Sequence, residues 1–381
     1  MSGMTCRQVF RALNEQPPPC LDDIAINSFQ VDSRQLCSGD AFVALRGNRT
    51  DGHRFLQAAV VSGASMLIVE DAPDFDCEVP VVVVDDSLKS LAQLSKYHRK
   101  HCSGKVIGIT GSVGKTTAKD FLQQLFTGSS CSVYAAPKSY NSEIGLPLAM
   151  LGAPRDADFV ILEYGINEPL EMDYLVSIVR PDLAALISIG AAHLEGMGDL
   201  GTIAVEKNKL LQAVGPQGQI WLPSECRNLI PGANQDWLSE SREINFNTYE
   251  SKFNDDHYLV KHPRLGEIAV SCIAEHELHT ALLMTEVALD CKVEKDHIIG
   301  ALTRLSKPDG RLEQVSVAGL NFINDSYNAN PVSMLAALRT LSSLPCSGKR
   351  IAVLGSMLEL GEQQQELHRQ MGRSINEFDV D

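Results

Sequence analysis

At positions 110–117 the chain reads Thr110-Gly111-Ser112-Val113-Gly114-Lys115-Thr116-Thr117, directly after the apolar run 105–109 and before residues 118–126, whose spacing predicts a helix. A strand, a glycine-rich turn and a helix in this order present backbone N–H groups and the positive end of a helix to an anion. The lysine can reach terminal phosphates, and the hydroxyl that follows it can bind Mg²⁺. Ile109 stands where such loops usually begin with glycine, so this loop is a shortened variant. The stretch predicts a nucleoside triphosphate site built from residues 110–117; a glycine turn with an exposed lysine is the alternative.

Composition limits the class of protein. With 381 residues the chain exceeds one ordinary hydrophobic core, so two or three domains are expected. Hydrophobic residues at 44% and charged residues at 21% are typical of a soluble globular protein, and no apolar run is long enough to predict a membrane span. A net charge of −15 argues against general binding of nucleic acid or membrane surfaces. Ten scattered cysteines and the lack of a secretory signal favour a cytoplasmic location.

Strand and helix patterns predict an α/β protein of three domains, at 1–102, 103–306 and 307–381. The first contains predicted strands at 64–70 and 81–85, followed by a helix that Ser87 caps and that runs to His101. The second alternates strands with helices, which predicts a mostly parallel sheet covered by helices. Its predicted elements are strands at 159–163, 183–189 and 219–222, an antiparallel insertion at 237–272, and helices at 276–291 and 294–304.

The third domain follows the turn Lys307-Pro308-Asp309-Gly310. Its pattern predicts the start of a doubly wound domain. The predicted elements are strands at 320–324 and 350–355, a helix at 333–341 and a helix that begins near Glu362. The chain stops at Asp381, before a full sheet of this kind is assembled, so the domain is expected to be incomplete.

Two polar residues follow strands of the predicted parallel sheet. Glu163 ends one strand beside the phosphate loop, where a carboxylate can hold Mg²⁺ directly or through water; a solvated acid at a strand end is the alternative. His193 follows the strand at 183–189 and is a candidate metal or substrate ligand. Lys207 and Lys209 have the spacing of a solvated helix face.

Further candidates lie outside the central domain. Asp325 and Asn328 occupy a turn between a strand and a helix, where they can cap the helix or contact the ribose or base of a nucleotide. Arg311 at the domain junction can reach phosphates. In the first domain, 32–34 and 51–53 offer polar groups for a second site whose ligand their spacing does not identify.

Nine short motifs, in order along nearly the whole chain, resemble those of the Mur ligase family. They are ValAspSerArg (31–34), AlaPheValAlaLeuArgGly (41–47), AspGlyHis (51–53), the phosphate loop, SerTyrAsnSerGluIleGlyLeuPro (139–147), GluTyrGlyIleAsn (163–167), AlaHisLeuGluGlyMetGly (192–198), AspSerTyrAsnAlaAsnPro (325–331) and LeuGlySerMetLeuGluLeuGly (354–361). The Asn-Ala-Asn-Pro stretch favours the branch that adds D-alanyl-D-alanine.

The resemblance implies three domains and a role for each candidate. The residues expected to contact ATP are Thr110, Gly111, Ser112, Val113, Gly114, Lys115, Thr116, Thr117, Arg311, Asp325 and Asn328. Those expected along a UDP-sugar are Ser33, Arg34, Thr50, His53 and Asn141. Lys115, His193 and Lys207 would be catalytic. Thr116, Glu163 and His193 would bind Mg²⁺, as would Lys207 if it is carbamylated.

The same resemblance implies an ADP-forming ligase of peptidoglycan precursor synthesis, acting as a monomer. The terminal carboxylate of a UDP-N-acetylmuramoyl-tripeptide would attack the γ-phosphate, and the amine of D-alanyl-D-alanine would then displace phosphate from the acyl phosphate. The alternatives are a related amide ligase of the folylpolyglutamate or cyanophycin type, and a nucleotide-binding protein that has lost catalysis.

Several positions depart from the family pattern. Glu277 and Thr280 replace two asparagines that usually contact adenine, Tyr164 and Ser356 replace a methionine and an aspartate, and Lys209 replaces a common glutamate. The chain also ends before the family's last strands. Weak or absent ligase activity is therefore expected of the 381-residue polypeptide.

Overall fold

The computed structural model describes residues 3–19, 21–47, 50–230, 241–254 and 256–380. The chain divides into two compact units. The first comprises Met1–Val106, Tyr134–Leu162 and Tyr174–Arg180; the second comprises Ile107–Val133, Glu163–Asp173 and Pro181–Asp381.

The N-terminal part of the first unit contains a four-stranded parallel sheet. Its elements are β1 (Met4–Thr5), α1 (Cys6–Ala12), β2 (Ala25–Ile26), β3 (Phe29–Gln30), β4 (Ala41–Val43), α2 (Leu56–Val61), β5 (Met66–Val69), β6 (Val81–Val83) and α3 (Ser87–Lys100). The sheet has the order β3-β4-β5-β6, and β1 pairs with β2 separately. Both strands predicted here are confirmed. The helix is capped by Asp86 and not by Ser87, because the Asp86 carboxylate accepts from Lys89 N–H at 2.9 Å.

The largest sheet has six strands in the order β12-β11-β10-β7-β9-β8. The elements are β7 (Lys105–Thr110), α4 (Lys115–Phe126), β8 (Val133–Ala135), α5 (Gly145–Leu151), β9 (Phe159–Glu163), α6 (Glu171–Ile178), β10 (Leu183–Leu186), α7 (Leu194–Met197), α8 (Leu200–Gln212), β11 (Ile220–Pro223), α9 (Ser224–Arg227) and β12 (Arg242–Ile244). The pairs β7/β10, β10/β11 and β11/β12 are parallel. Central strands such as β10 are buried along their whole length, as expected of a parallel sheet covered on both faces.

Two predictions for this region need correction. The strand predicted at 183–189 ends at Leu186, because the backbone from Ser188 onward turns to bind the phosphate loop. Arg242–Ile244 was predicted within an antiparallel insertion but pairs in parallel with β11. The antiparallel part is confirmed for β13 (Glu250–Asn254), β14 (His257–His262) and β15 (Gly266–Val270), whereas 237–240 lie outside the described residues.

Helix α10 (Glu275–Asp290) is buried over most of its length and packs on α4, and α11 (Lys295–Leu302) packs beside both. Beyond the turn at Gly310 the structure has β16 (Glu313–Val317), β17 (Leu320–Asn324), α12 (Pro331–Ser343) and α13 (Gln364–Ser374). The β16/β17 pair is an antiparallel hairpin, which the sequence pattern did not indicate. The strand predicted at 350–355 is wrong for the described structure, because no described strand pairs with these residues.

An ion-pair network fixes β12 and β14 to helix α10. Arg242 and Arg264 both contact Glu286 and Asp290 on α10, at 2.6 to 2.9 Å. His262 Nε2 lies 3.3 Å from Glu286 Oε1. Burial alone would raise the pKa of Glu286. Hydrogen bonds from His262 and Arg264 and the charge of Arg242 outweigh this effect and hold the pKa at about 2.

This network should make stability fall in acid. In the unfolded chain Glu286 titrates near ~4.3. Its stabilising contribution of about 3 kcal/mol is thus present above that pH and is lost as pH falls toward the folded value. Urea unfolding of Glu286→Gln should show a loss of about 3–5 kcal/mol at pH 7, a difference that shrinks by about 2 kcal/mol at pH 3 and further as pH falls below the folded pKa. Glu267→Gln, at an exposed position on β15, is the control; an equal effect of both variants would contradict the assignment.

Candidate active site

The phosphate loop joins β7 to α4 and depends on two glycines. Gly114 caps the helix with φ of +85°, a left-handed conformation that side chains other than glycine rarely adopt. A Cβ on Gly111 would lie 3.0 Å from Ile187 Cβ and 3.1 Å from Ser188 N. The loop therefore lies directly against the residues that follow β10.

Hydrogen bonds tie this loop to the ends of the neighbouring strands. Ser112 Oγ donates to Gly190 O at 2.8 Å and accepts from Gly190 N at 2.9 Å, while Val113 N donates to Ser188 Oγ at 3.0 Å. Thr110 Oγ1 donates to Tyr164 O, one residue after β9, at 2.9 Å. The segments that follow β7, β9 and β10 thus meet at one edge of the sheet, as their parallel arrangement predicted.

Lys115 is partly buried at this edge. Its Nζ donates to Gly111 O at 2.7 Å. Burial lowers the pKa of Lys115 to about 8, the nearby charge of Glu163 opposes that shift, and the charge of Arg311 adds to it. A bound anion would favour the charged form, so the lysine is suited to hold phosphate oxygens.

Glu163 is fully buried among hydroxyl and cationic groups. Thr116 Oγ1 donates to its Oε2 at 3.2 Å, Lys119 Nζ lies 3.6 Å from its Oε1, and Arg311 Nη2 donates to Thr116 Oγ1 at 3.1 Å. Burial raises the pKa of Glu163, although Lys119 and Lys115 oppose the shift. Oε1 accepts no hydrogen bond within the described structure, so an oxygen ligand is present where a cation could bind.

His193 lies at the start of α7 with φ of +55°. Its Nδ1 is 2.6 Å from Glu359 Oε2. Burial lowers the pKa of His193, and the positive charges of Lys115 and Lys207 contribute to the shift. The ring is therefore in the electrostatic environment of both lysines.

Lys207 lies on α8 with a side chain that is 1% exposed. Within the described part of the chain it makes no hydrogen bond or ion pair. Burial lowers its pKa well below the usual value, and Lys115 adds to this effect. Lys209, two residues later, instead contacts Asp173 at 2.6 Å and is held charged. The solvated helix face predicted from spacing is thus wrong for Lys207, because α8 buries this position.

Of the candidates beyond residue 310, Arg311 contacts the phosphate loop, whereas Asp325 and Asn328 make contacts within their own region. Arg311 reaches Thr116 and its Cζ lies 4.1 Å from the centroid of the Tyr327 ring. Asp325 is partly buried and accepts from Leu312 N at 3.1 Å. The Asn328 side chain accepts from Ala329 N at 2.9 Å and is exposed. The structure brings Arg311 to the phosphate loop, and Asp325 supports the turn that carries Arg311.

The candidates of the first unit lie in separate surface turns. Ser33 and Arg34 belong to a short 3-10 helix, and the Arg34 guanidinium pairs with Asp32 at 2.7 Å. Thr50 and Asn141 are at least partly exposed. His53 differs from the rest, because Nδ1 lies 2.7 Å from Asp51 Oδ1 and Nε2 accepts from Glu70 N at 2.8 Å. Both ring nitrogens are engaged, so only the ring face could contact a ligand without breaking these bonds.

Glu277, which replaces an expected asparagine, has a structural partner. Its Oε2 lies 2.9 Å from Lys307 Nζ and accepts from Ile273 N and Ala274 N, both at 3.2 Å. The carboxylate therefore caps α10 and holds the linker before Gly310. Thr280 is also occupied, because its hydroxyl donates to His276 O at 2.9 Å.

Sequence reasoning missed three residues of this region: Lys119, Lys307 and Glu359. Lys119 follows the phosphate loop by one helical turn, so its spacing could have placed it beside Glu163. Glu359 is part of the motif at 354–361 but was not distinguished from its neighbours. Its contact with His193 joins positions 166 residues apart, which spacing could not reveal.

Three sequence families match consecutive parts of the chain. Residues 25–99 match "Mur ligase family, catalytic domain", residues 109–283 match "Mur ligase middle domain", and residues 310–381 match "Mur ligase, glutamate ligase domain". None of the described helices combines the length and apolarity needed to cross a bilayer.

Two relatives named UDP-N-acetylmuramoyl-tripeptide–D-alanyl-D-alanine ligase illustrate the similarity. The Bacillus subtilis protein is 29% identical over 377 residues, covering 95% of this chain and 80% of the relative. The Mycobacterium tuberculosis protein is 30% identical over 390 residues, covering 92% of this chain and 76% of the relative.

Solved structures agree with the sequence comparisons. A crystal structure of MurF from Acinetobacter baumannii has a TM-score of 0.86 at 29% identity, covering 99% of this chain and 84% of that one. MurF ligase from Thermotoga maritima in complex with ADP has a TM-score of 0.79 at 26% identity, covering 94% of this chain and 84% of that one.

Proposed function

Because this chain belongs to the Mur ligase family, we propose that it is an ATP-dependent, ADP-forming ligase that joins D-alanyl-D-alanine to the terminal carboxylate of a UDP-N-acetylmuramoyl-tripeptide. We propose that it acts in the cytoplasm, in peptidoglycan precursor synthesis. We expect it to act as a monomer. The observation that supports the proposal is electrostatic: the charge of Glu163 acts on Lys115, and the charge of Lys115 acts on both His193 and Lys207.

The phosphate loop would hold ATP. The amides of residues 110–117 and the Lys115 ammonium would bind the phosphates, and Arg311 would reach them from beyond Gly310. We propose domain limits of 1–102, 103–306 and 307–381, so that the linker held by Glu277 and Lys307 connects the second domain to the third.

The donor set fits Mg²⁺ bound together with nucleotide phosphates. The described residues contain no cluster of three or more acidic, histidine or cysteine side chains that could enclose a metal ion. Mg²⁺ does not require such a cage, since it usually takes one or two carboxylates, waters and phosphate oxygens. Thr116 and Glu163 would hold one ion and His193 a second. When bound, the metal would screen the charges of the phosphates and the incoming carboxylate.

Lys207 is suited to carbamylation. Burial lowers the pKa of Lys207 and so favours its neutral amine, which can attack dissolved CO₂, forming an N–C bond and releasing one proton. The product is an anionic carbamate beside Lys115, which would add an oxygen ligand to the metal site. This chemistry explains how a buried lysine could serve a site that binds cations.

The first unit would bind the UDP-sugar through Ser33, Arg34, Thr50, His53 and Asn141. The exposed Arg34 guanidinium suits a diphosphate oxygen, with Asp32 holding its orientation. His53 would act through its ring face, because both nitrogens are bound within the unit.

The chemistry would proceed in two steps. The peptide carboxylate attacks the γ-phosphorus of ATP, forming a P–O bond and releasing ADP. The amine of the dipeptide then attacks the acyl carbon, forming the amide, releasing phosphate and losing a proton. Lys115 and Arg311 would stabilise the charge on the transferred phosphoryl group, which is mainly an effect of positioning and electrostatics.

A product assay separates the candidate functions. The protein is incubated with ATP, Mg²⁺, UDP-N-acetylmuramoyl-tripeptide and D-alanyl-D-alanine, and the pentapeptide product and phosphate are measured. Product and phosphate that require both substrates, and that Lys115→Met abolishes, support the proposal. Turnover with a folate and glutamate instead would indicate a related amide ligase. Binding of ATP without product in any mixture would indicate lost catalysis.

A further inference from the structure

Glu359 holds the ring of His193 in one orientation. Glu359 Oε2 lies 2.6 Å from His193 Nδ1, within hydrogen-bond distance. A carboxylate oxygen accepts this bond, so Nδ1 carries the proton. The neutral ring then has its lone pair on Nε2.

The backbone around Glu359 lies against the His193 segment and places the Glu359 carboxylate there. Glu359 O accepts from Glu195 N at 3.2 Å, so the same residue contacts the histidine segment at two points. Glu359 itself has φ of +58°. The next glycine, Gly361, has φ of +57° and approaches Glu195 so closely that a Cβ would lie 3.1 Å from Glu195 Cα. Residues with side chains adopt such backbone angles only when the surrounding structure requires it.

Buried neighbours fix the segment. Met357 is fully buried and Leu360 nearly so, both in a cluster with Met334, Leu338 and Met371. Met357 N also donates to His368 Nε2 at 3.1 Å. The Glu359 side chain itself is more than half exposed, so its position comes from these anchors and not from its own burial.

We propose that Glu359 is a positioning residue that fixes the Nδ1–H tautomer of His193 and directs Nε2 toward the metal beside Lys115. Histidine ligands usually donate their second N–H to a carboxylate, and loss of that partner typically weakens metal binding ~10–100-fold. The inference rests on the proposed role of His193 as a metal ligand. It adds that residues 354–361 support this site from the C-terminal region, so that docking of that segment and metal binding favour each other.

The tautomer gives a readout that does not depend on metal or turnover. In ¹⁵N NMR of histidine-labelled protein, the signal lost in His193→Gln should show the Nδ1–H pattern in wild type. Glu359→Ala should shift it toward Nε2–H, because the acceptor is gone. Glu359→Gln should retain the wild-type pattern, since its amide oxygen still accepts the bond. Glu362→Gln is the matched control, an exposed carboxylate three residues away with no hydrogen bond or ion pair in the described structure.

Metal binding is measured with Mn²⁺ and ADP by electron paramagnetic resonance. We expect the Mn²⁺ affinity to fall about 10–100-fold in Glu359→Ala, only a few-fold in Glu359→Gln and not at all in Glu362→Gln. If His193→Gln leaves Mn²⁺ affinity unchanged, the proposed role of His193 fails and the inference falls with it. If His193→Gln weakens binding but Glu359→Ala behaves like Glu362→Gln in affinity and tautomer, the inference alone is overturned.

Discussion

Replacing Lys207 by methionine is expected to remove metal-dependent chemistry while leaving the fold at least as stable as wild type. The wild-type amine is buried and has no polar partner within the described structure, so it contributes no ion pair to stability. Methionine has nearly the same length and no group to desolvate. In CO₂-depleted buffer at pH 7, urea unfolding should show Lys207→Met more stable by about 1–3 kcal/mol.

The pH dependence of this difference follows from the lowered pKa. In the unfolded chain a lysine titrates near ~10.4, whereas the folded protein binds that proton only at much lower pH. Below ~10.4 the unfolded state therefore binds more protons, and wild-type stability decreases as pH falls toward the folded pKa. Lys207→Met should lack this slope. A variant less stable than wild type across pH 7 to 10 would show that Lys207 is a paired structural lysine instead.

The functional part of this prediction has its own readout. With ¹³C-bicarbonate, wild-type protein should show a carbamate resonance that Lys207→Met lacks. Lys209→Met is the matched control, because Lys209 is charged and paired with Asp173 and should not react with CO₂. Where turnover is measurable, Lys207→Met should lower it about 10²–10³-fold, the usual cost of removing one preorganised charged group. A resonance that persists in Lys207→Met but disappears in Lys209→Met would reverse the assignment.

The difference between these two lysines shows what the sequence could predict. Strand β9 is apolar over residues 159–162 and ends on Glu163, so the parallel sheet and the edge where Glu163 lies follow from local pattern. Lys207 and Lys209 are the same residue type on the same helix, so spacing alone predicts the same environment for both. Their opposite states depend on which neighbours pack on α8, which is a property of the tertiary structure.

The same limit applies at the C-terminal region. The turn before the hairpin and the helix at Pro331–Ser343 are marked by proline, glycine and a capping asparagine, and both were predicted. The run at 350–355 has an apolar pattern typical of a strand. A strand also needs a hydrogen-bonded neighbour, and sequence pattern does not say whether one is present. The contact of Glu359 with His193 likewise depends on how distant segments meet.

Glu163→Gln should separate nucleotide binding from its metal dependence. The variant removes one buried negative charge that lies among Thr116, Lys119 and Lys115. In the presence of EDTA, ADP should bind the variant as tightly as wild type or more tightly, because a carboxylate no longer repels the phosphates. With Mg²⁺, wild type should gain affinity, and the variant should lose at least about tenfold, or ~1.4 kcal/mol, of that gain.

Asp120→Asn is the matched control for this experiment. Asp120 lies 3.1 Å from Lys119 Nζ, so both acids contact the same lysine, but Asp120 is not expected to bind metal. If Glu163 served only as a counter-ion of Lys119, the two variants would change ADP binding alike, with and without Mg²⁺, in isothermal titration. A metal role requires that only Glu163→Gln loses the Mg²⁺-dependent gain. Lys119 loses one acidic neighbour in both variants. The comparison therefore tests the role of Glu163 as an oxygen ligand of the metal, separately from any effect on the charge of Lys119.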